Sequence, residues 1–202
     1  MKRNLIFSVV LVFLILLVAF SSFMTGFTMN RSKKSYDFEN IISIPKNEIP
    51  KYRFLEPELS DYICELCSNM ELDSDLIVAL LMTENPTFNK DAVHKNQNGT
   101  IDCGLFQLND KYLWTTFREK YWFDNLELDP FNWKHNTYIA LHHFKYLIDK
   151  FKITDDSIMA YNSGEGAVMS GNIPDSTYTY LLKVKTNLWL IQNQKDTEIL
   201  SE

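Results

Sequence analysis

Apolar and polar positions divide this sequence into an apolar N-terminal stretch, a short polar segment and a long region with helical periodicity. Residues 5–20 are almost entirely apolar and follow Lys2 and Arg3. Extended to residue 29, this run reaches the roughly 20 residues that a membrane-spanning helix needs. A secretory signal usually has a shorter apolar core. We therefore expect residues 1–30 to be an N-terminal membrane anchor, with a cleaved signal sequence as the alternative.

The next segment is polar and then gives way to two predicted helices. Residues 31–54 mix both charges with two prolines and show no sustained period, which is typical of a linker. Residues 58–70 have helical periodicity, and a second helix, DSDLIVALLMTE, follows with Asp73 or Ser74 as its cap. The Asn-Pro pair that comes next predicts the end of this second helix.

The rest of the chain predicts a small turn-rich element followed by more helices. Residues 85–103 are polar and contain the turn sequence NQNG, so we expect a small hairpin or a loop there. Asp129-Pro130 opens a long amphipathic helix, and another helix begins at Thr154. Strand-like alternation is short and scarce. The pattern predicts a mainly α domain over residues 55–190 and a C-terminal tail over residues 191–202.

The composition excludes several classes of protein. With 202 residues, 46% of them apolar and 23% charged, the chain is long enough for one hydrophobic core and is neither low-complexity nor disordered. Lysine and arginine total 20 against 26 aspartates and glutamates. The resulting net charge of −6 argues against nucleic acid as a partner.

Cysteine and histidine spacing predicts neither a metal nor a cofactor. Cys64, Cys67 and Cys103 are too few for a structural zinc site, and the C-x-x-C pair falls in a predicted helix rather than beside a strand. The four histidines show no H-E-x-x-H spacing. We expect buried thiols with at most one bridge, to Cys103, and no metal or cofactor.

Glu84 is the first candidate for chemistry. It continues a helical stripe that contains Ile77 and Leu80, so its carboxyl group lies on an apolar face near the end of the helix. Burial and the negative end of the helix dipole both raise the pKa of such a group. It would then be suited to proton donation near neutral pH. The periodicity alone fits better a glutamate at a helix end that turns out to solvent.

Four short sequence blocks, the first of which begins at Glu84, follow one another along the chain. They are ENPTFNKDA from Glu84, GLFQL from Gly104, AYNSGEG from Ala160 and TYTYLLKV from Thr177. Together they resemble the lytic transglycosylase SLT domain of the goose-type lysozyme-like superfamily. That family has the patterns E-S-x-F-N-P-x-A, G-L-M-Q-L, A-Y-N-A-G-x-G and T-x-x-Y-V-x-K-V. The chain departs from the first pattern by having Asn85 in place of serine and one extra residue before Phe88.

The resemblance implies a fold, an activity and a set of site residues. The fold is mainly α and lysozyme-like, with a small β or loop element around residues 93–103 beside an active-site groove. The activity is that of a peptidoglycan lytic transglycosylase, which cleaves the MurNAc-GlcNAc β-1,4 bond and leaves a 1,6-anhydro-MurNAc end. Glu84 acts as general acid and then as base. The implied substrate-binding residues are Asn85, Asp102, Gly104, Leu105, Phe106, Gln107, Tyr161, Asn162 and Tyr180.

Individual residue types fit these roles. Gly104 allows the backbone to approach a sugar closely. Gln107 offers a donor and an acceptor to a hydroxyl or N-acetyl group. The resemblance implies that Tyr161, Asn162 and Tyr180 line the groove. It also implies that Tyr180 places its hydroxyl near Glu84.

Two other functions stay open. The string around Asp102 also resembles the second-carboxylate strand of c-type lysozymes, in which case the enzyme is a muramidase that hydrolyses with Glu84 and Asp102 together. The second alternative is a non-catalytic module that binds peptidoglycan or assembles a secretion apparatus.

The implied substrate also sets the expected location. Peptidoglycan lies outside the cytoplasm, so we expect the domain on the periplasmic or cell-wall face, anchored to the cytoplasmic membrane by the N-terminal helix. Secretion after cleavage is the alternative. The expected partners are peptidoglycan glycan strands, the membrane through the N-terminal helix, and a secretion or motility apparatus.

Overall fold

The computed structural model describes residues 50–117 and 128–199. The predicted membrane anchor, residues 1–30, lies outside the described residues, and so does nearly all of the predicted linker. Within the described ranges, no helix is long and apolar enough to cross a membrane. The anchor therefore stays a prediction.

Helices dominate the described residues. The strands are β1 (Val93–Lys95), β2 (Ile101–Cys103) and β3 (Leu108–Asn109), and a π-helical segment, Asp110–Phe117, follows them. The α-helices are α1 (Pro57–Met70), α2 (Ser74–Glu84), α3 (Trp133–Phe151), α4 (Thr154–Ser163), α5 (Glu165–Ser170) and α6 (Asp175–Ile199). The prediction of a mainly α domain with a small β element is confirmed.

Capping side chains explain where the helices begin. Asp73 caps α2, because its carboxylate accepts a hydrogen bond from the backbone N–H of Asp75 at 2.9 Å. The long helix predicted from Asp129-Pro130 begins at Trp133, because Asn132 is its cap and accepts from the N–H groups of Lys134 and His135.

The small sheet is antiparallel with strand order β1-β2-β3. The predicted turn closes β1 and β2 through a hydrogen bond of 2.9 Å from the N–H of Asn96 to the carbonyl of Thr100. In the next pair, Asp102 lies opposite Asn109. The third strand was not predicted, because two residues are too few to show an alternating pattern.

The core is built around α2. Ile77, Val78, Ala79, Leu80 and Leu81 are consecutive, and each has at most 1% of its surface exposed. A helix that is apolar on all sides is a buried one. It packs against α1 and, most extensively, against α6. The C-terminal end of α2, where Glu84 lies, is therefore held in place from several directions.

Packing extends beyond both predicted domain boundaries. Tyr52 belongs to the predicted linker, yet it is only 2% exposed. Its hydroxyl donates a hydrogen bond to Asp75 Oδ1 at 2.6 Å. At the other end α6 continues through the predicted tail to Ile199, and Ile191 is buried. No disulfide joins the three cysteines, all of which lie in the described ranges.

Candidate active site

A cleft of about 700 Å³ lies beside the small sheet and contains Glu84. The turn between β1 and β2 lines it with Asn96, Asn98 and Thr100. The remaining lining comes from β2, β3, the π-helical segment, α3 and the junction of α4 with α5. The cleft is thus formed where the sheet meets the helices, as the sequence led us to expect.

Glu84 is the last residue of α2, and its side chain is half-buried in this cleft. The hydroxyl of Tyr180 donates a hydrogen bond to Glu84 Oε1 at 2.5 Å. Burial, and to a lesser extent the negative charge of Asp102, raise the pKa of Glu84, the Tyr180 hydrogen bond lowers it, and the net result is a pKa of about 7. A carboxyl group with this pKa can both give and take a proton near neutral pH.

Two tyrosines border Glu84. Tyr180, on α6, is 9% exposed, and burial together with the charge of Glu84 raises its pKa well above the usual range. Burial likewise raises the pKa of Tyr161, whose hydroxyl donates to the backbone carbonyl of Phe106 at 3.1 Å. Both hydroxyls therefore keep their protons and act as hydrogen-bond donors.

Asp102 lies in β2 and also lines the cleft. Its Oδ1 accepts a hydrogen bond of 2.7 Å from the amide of Asn109, its partner on β3. Asn109 also accepts from the backbone N–H groups of Lys111 and Tyr112, both at 3.2 Å. Sequence reasoning missed Asn109, because its role follows from the strand register rather than from a motif.

Gly104 lies in a turn that packs closely against α3. Its φ is +72°, and a Cβ atom there would lie 2.4 Å from Asn136 Nδ2 and 2.6 Å from the carbonyl oxygen of Pro130. The absence of a side chain thus allows close packing against α3. Leu105 and Phe106 follow it, are at most 1% exposed, and point into the core instead of lining the cleft.

Asn136 holds this glycine turn and was also missed. It is fully buried on α3, accepts from the N–H of Phe106 at 2.9 Å, and donates to the carbonyls of Cys103 at 2.9 Å and Pro130 at 3.0 Å. A buried amide that makes three such bonds fixes the turn next to the cleft. The only signal in the sequence was a polar residue on the buried face of a predicted helix.

Gln107 and Asn85 occupy different environments. Gln107 lines the cleft, and its Nε2 donates to the Gly104 carbonyl at 2.8 Å, which leaves its amide oxygen for a ligand. Asn85 is 4% exposed and lies outside the cleft lining. Its amide donates to the carbonyl of Asn89 and accepts from Thr87 and the Asn89 N–H, so it closes the turn after α2.

Asn162 lies at the edge of the cleft on α4. Its amide oxygen accepts a hydrogen bond of 3.0 Å from the hydroxyl of buried Thr177. This bond fixes the orientation of the side chain and leaves Nδ2 as its donor. Asn162 also lines a second, smaller cavity.

A third carboxylate in the cleft was not predicted. Glu165 accepts hydrogen bonds from Tyr146 at 2.8 Å and from Lys150 at 2.5 Å. Its position is the variable one in A-Y-N-A-G-x-G, so the resemblance carried no signal for it. His143 lines the cleft nearby, and burial lowers its pKa to about 4, which leaves it neutral at pH 7. No metal-binding group of three or more acidic, histidine or cysteine side chains occurs within residues 50–117 and 128–199.

A carboxylic acid at the end of a buried helix, set in a cleft between helices and a small antiparallel sheet, defines a lysozyme-like domain. The sequence model of the Transglycosylase SLT domain family matches residues 61–176, which is more than half of the chain. The protein therefore belongs to the transglycosylase SLT domain family.

A solved structure shares this fold. It is an inactive variant, with a glutamate-to-glutamine substitution, of the lytic transglycosylase Slt from Pseudomonas aeruginosa. The two chains superpose with a TM-score of 0.54 at 18% sequence identity, over 67% of this chain. The match covers only 24% of the Slt chain, so this protein corresponds to about a quarter of that enzyme. No curated protein matches the sequence.

Proposed function

We propose that this protein is a peptidoglycan lytic transglycosylase that uses Glu84 as its only catalytic carboxyl group. One observation carries the proposal: Glu84 lies in the cleft with a raised pKa and a hydrogen bond from Tyr180. Membership of the SLT domain family and the shared fold with a lytic transglycosylase support it. In Slt a glutamate-to-glutamine variant is inactive, which agrees with an essential glutamate.

The reaction follows from one group that gives and then takes a proton. Protonated Glu84 donates its proton to the glycosidic oxygen as the bond between that oxygen and C1 of MurNAc breaks. The resulting carboxylate removes the proton of the 6-hydroxyl of the same MurNAc, and that oxygen bonds to C1. The products are a free GlcNAc hydroxyl and a 1,6-anhydro-MurNAc end, and Glu84 is protonated again. No water is consumed.

The other cleft residues have supporting roles in this proposal. Tyr180 keeps Glu84 in place, while Gln107, Tyr161 and Asn162 border the bound sugars. We assign Gly104, Leu105, Phe106 and Asn85 to the support of the cleft instead of sugar contact, because they are buried. The proposed location is outside the cytoplasm, where peptidoglycan lies.

The position of Asp102 supports a second candidate function, that of a hydrolase. It lines the same cleft as Glu84, and it interacts with Glu84 electrostatically. A retaining glycosidase uses such a second carboxylate as its nucleophile, and water then completes the hydrolysis. The products separate the two functions, because anhydro and hydrated ends differ by the mass of one water.

The Asp102→Asn variant tests this choice. If O6 of the sugar is the nucleophile, Asp102 only stabilises positive charge on the ring, and we expect a loss of about 10- to 100-fold in activity, or roughly 1.4 to 2.7 kcal/mol. Mass spectrometry of the muropeptides released from purified sacculi should still show anhydro ends. If the wild type produces hydrated ends and the Asp102→Asn protein is inactive, the protein is a hydrolase and the transglycosylase proposal is wrong.

The pH dependence of the wild type tests the role of Glu84. Because the free enzyme must carry a protonated Glu84, kcat/KM should be level below pH 7 and fall about tenfold per pH unit above the pKa of about 7. Tyr180→Phe removes the hydrogen bond that lowers this pKa, so its decline should begin at higher pH. A decline that begins at the same pH in both proteins would exclude Glu84 as the titrating group.

A further inference from the structure

The outer face of α6 is apolar although it lies in solvent. Tyr178, Leu182 and Trp189 are 48%, 65% and 60% exposed. At 3.6 residues per turn these three side chains lie on the side of the helix opposite Tyr180, and exposed Leu190 adjoins them. We call these four side chains the outer face. Exposed apolar side chains that are grouped in this way mark an interaction surface.

Positive charge borders the outer face on both sides. Helical spacing places Lys185 at one edge and Lys183 at the other. Residues 176–193 contain no aspartate or glutamate, although the whole chain has a net charge of −6. Lys185 also pairs with Asp155 on α4, but both side chains of this pair are exposed. An apolar face with tryptophan and leucine between lysines is typical of a helix that lies in a lipid interface.

The order of residues along this face fits lipid better than a second copy of the chain. A coiled-coil seam needs an apolar residue at every third or fourth position. Between Leu182 and Trp189 those positions are occupied by Lys185 and Thr186, so a seam would bury polar groups. A lipid interface accommodates them, because lysine extends its charge to the headgroups and tryptophan keeps its N–H in the same layer.

The sequence also limits the distance between this domain and a membrane. The apolar run that predicts the anchor ends at residue 29, and the described residues begin at residue 50. An extended chain spans at most about 3.3 to 3.6 Å per residue, so residues 30–49 can reach at most about 70 Å. Such a tether gives the lipid a high effective concentration, and a small apolar face is then sufficient for contact.

We propose that the outer face of α6 lies against the lipid surface of the membrane that holds the predicted anchor. Tyr180 leaves α6 on the other side and donates to Glu84, so the catalytic pair is separated from the lipid by the helix. Docking therefore leaves the cleft accessible and holds it near the membrane. The inference does not depend on the proposed activity, because an inactive domain with the same face would dock equally well.

Tryptophan fluorescence in brominated vesicles tests the proposal. None of the four tryptophans lies in residues 1–30, so the predicted anchor gives no signal. The full-length protein is reconstituted into vesicles of phosphatidylcholine and phosphatidylglycerol, with or without bromine on the acyl chains. Bromine quenches a tryptophan that contacts the chains. Wild type should be quenched more strongly than Trp189→Phe, whereas Trp133→Phe should keep the quenched component, because Trp133 packs against Tyr62.

An acidic substitution on the outer face provides the second arm. Leu182→Glu should lower the ratio of docked to undocked domain about tenfold and the quenching of Trp189 with it, while the anchor keeps the protein in the vesicle fraction. Met169→Glu is the matched control. Met169, on α5, is 67% exposed, close to the 65% of Leu182, and lies outside the outer face. Its replacement should leave the quenching unchanged.

The outcomes separate lipid docking from self-association and from catalysis. Equal quenching of wild type and Trp189→Phe, no effect of Leu182→Glu, or a protein that does not remain with the vesicles would overturn the proposal. If a second copy covers the face, Trp189 emission shifts to shorter wavelength without bromine quenching and returns on dilution in lipid, which also overturns it. Glu84→Gln should be quenched like wild type, so loss of activity leaves this inference intact.

Discussion

The Glu84→Gln variant is expected to fold normally and to lose nearly all release of muropeptides from sacculi. Glutamine has the size of glutamate and keeps an oxygen that can accept the Tyr180 hydroxyl, but it can neither give nor take the proton. Because the same group serves both steps, we expect a loss of about 10⁴-fold, or about 5 kcal/mol of transition-state stabilisation. The release of soluble muropeptides, quantified by chromatography, measures this loss.

Stability and a matched variant complete this test. Since the folded-state pKa of Glu84, about 7, lies above its usual value of 4.5, the unfolded chain ionises first, and the free energy of unfolding falls as pH rises from about 4.5 to about 7. Glu84→Gln should therefore be at least as stable as wild type at pH 8. Glu56→Gln, which alters only an exposed pair with Lys90, should retain wild-type activity. Substantial release by Glu84→Gln would refute the catalytic assignment.

The Gly104→Ala variant is expected to be strongly destabilised. Alanine at a φ of +72° is itself strained, and its Cβ atom would overlap Asn136 and the Pro130 carbonyl. Left-handed strain costs about 1–2 kcal/mol, and overpacking adds about 1–3 kcal/mol. The free energy of unfolding should thus fall by roughly 2–5 kcal/mol, as measured by urea denaturation.

Gly99→Ala separates the two causes. Gly99 has a similar φ, +80°, in the turn between β1 and β2, but a Cβ atom there would have no neighbour within 4 Å. Its replacement should cost only the backbone strain, about 1–2 kcal/mol. Equal losses in the two variants would show that the contact with Asn136 is unimportant.

Local patterns were sufficient to predict α1, α2, α3 and the start of α4, but they predicted neither α5 nor the continuation of α6 through residues 191–199. The motif resemblance, rather than helical periodicity, singled out Glu84. The caps, the Asn-Pro stop and the polar turn are signals from neighbouring residues, and the structure has helices and a hairpin at those places. Helical spacing placed Glu84 on an apolar face. It did not reveal that α2 is apolar on all sides, because the single stripe that ends in Glu84 was only part of a wholly buried surface.

Motif resemblance was less informative about which side chains line the cleft. The GLFQL block combines one cleft residue, Gln107, with Leu105 and Phe106, which point into the core. A pattern of residue types does not distinguish these directions. Asn109 contacts Asp102 because of the strand register, and Asn136 contacts the turn at Phe106 from a helix about 30 residues further along the chain. Only the folded chain brings these pairs together.

The pairing of Glu84 with Tyr180 also determines when during its biosynthesis the protein acquires a complete site. The two residues are 96 positions apart, and the tyrosine belongs to α6, the last helix of the described chain. Because synthesis runs from the N-terminus, a growing chain contains the acid long before its partner. The catalytic pair assembles only after α6 has emerged and docked against α2. A nascent or C-terminally truncated chain therefore lacks the hydrogen bond between Glu84 and Tyr180, and the proposed activity requires the whole domain.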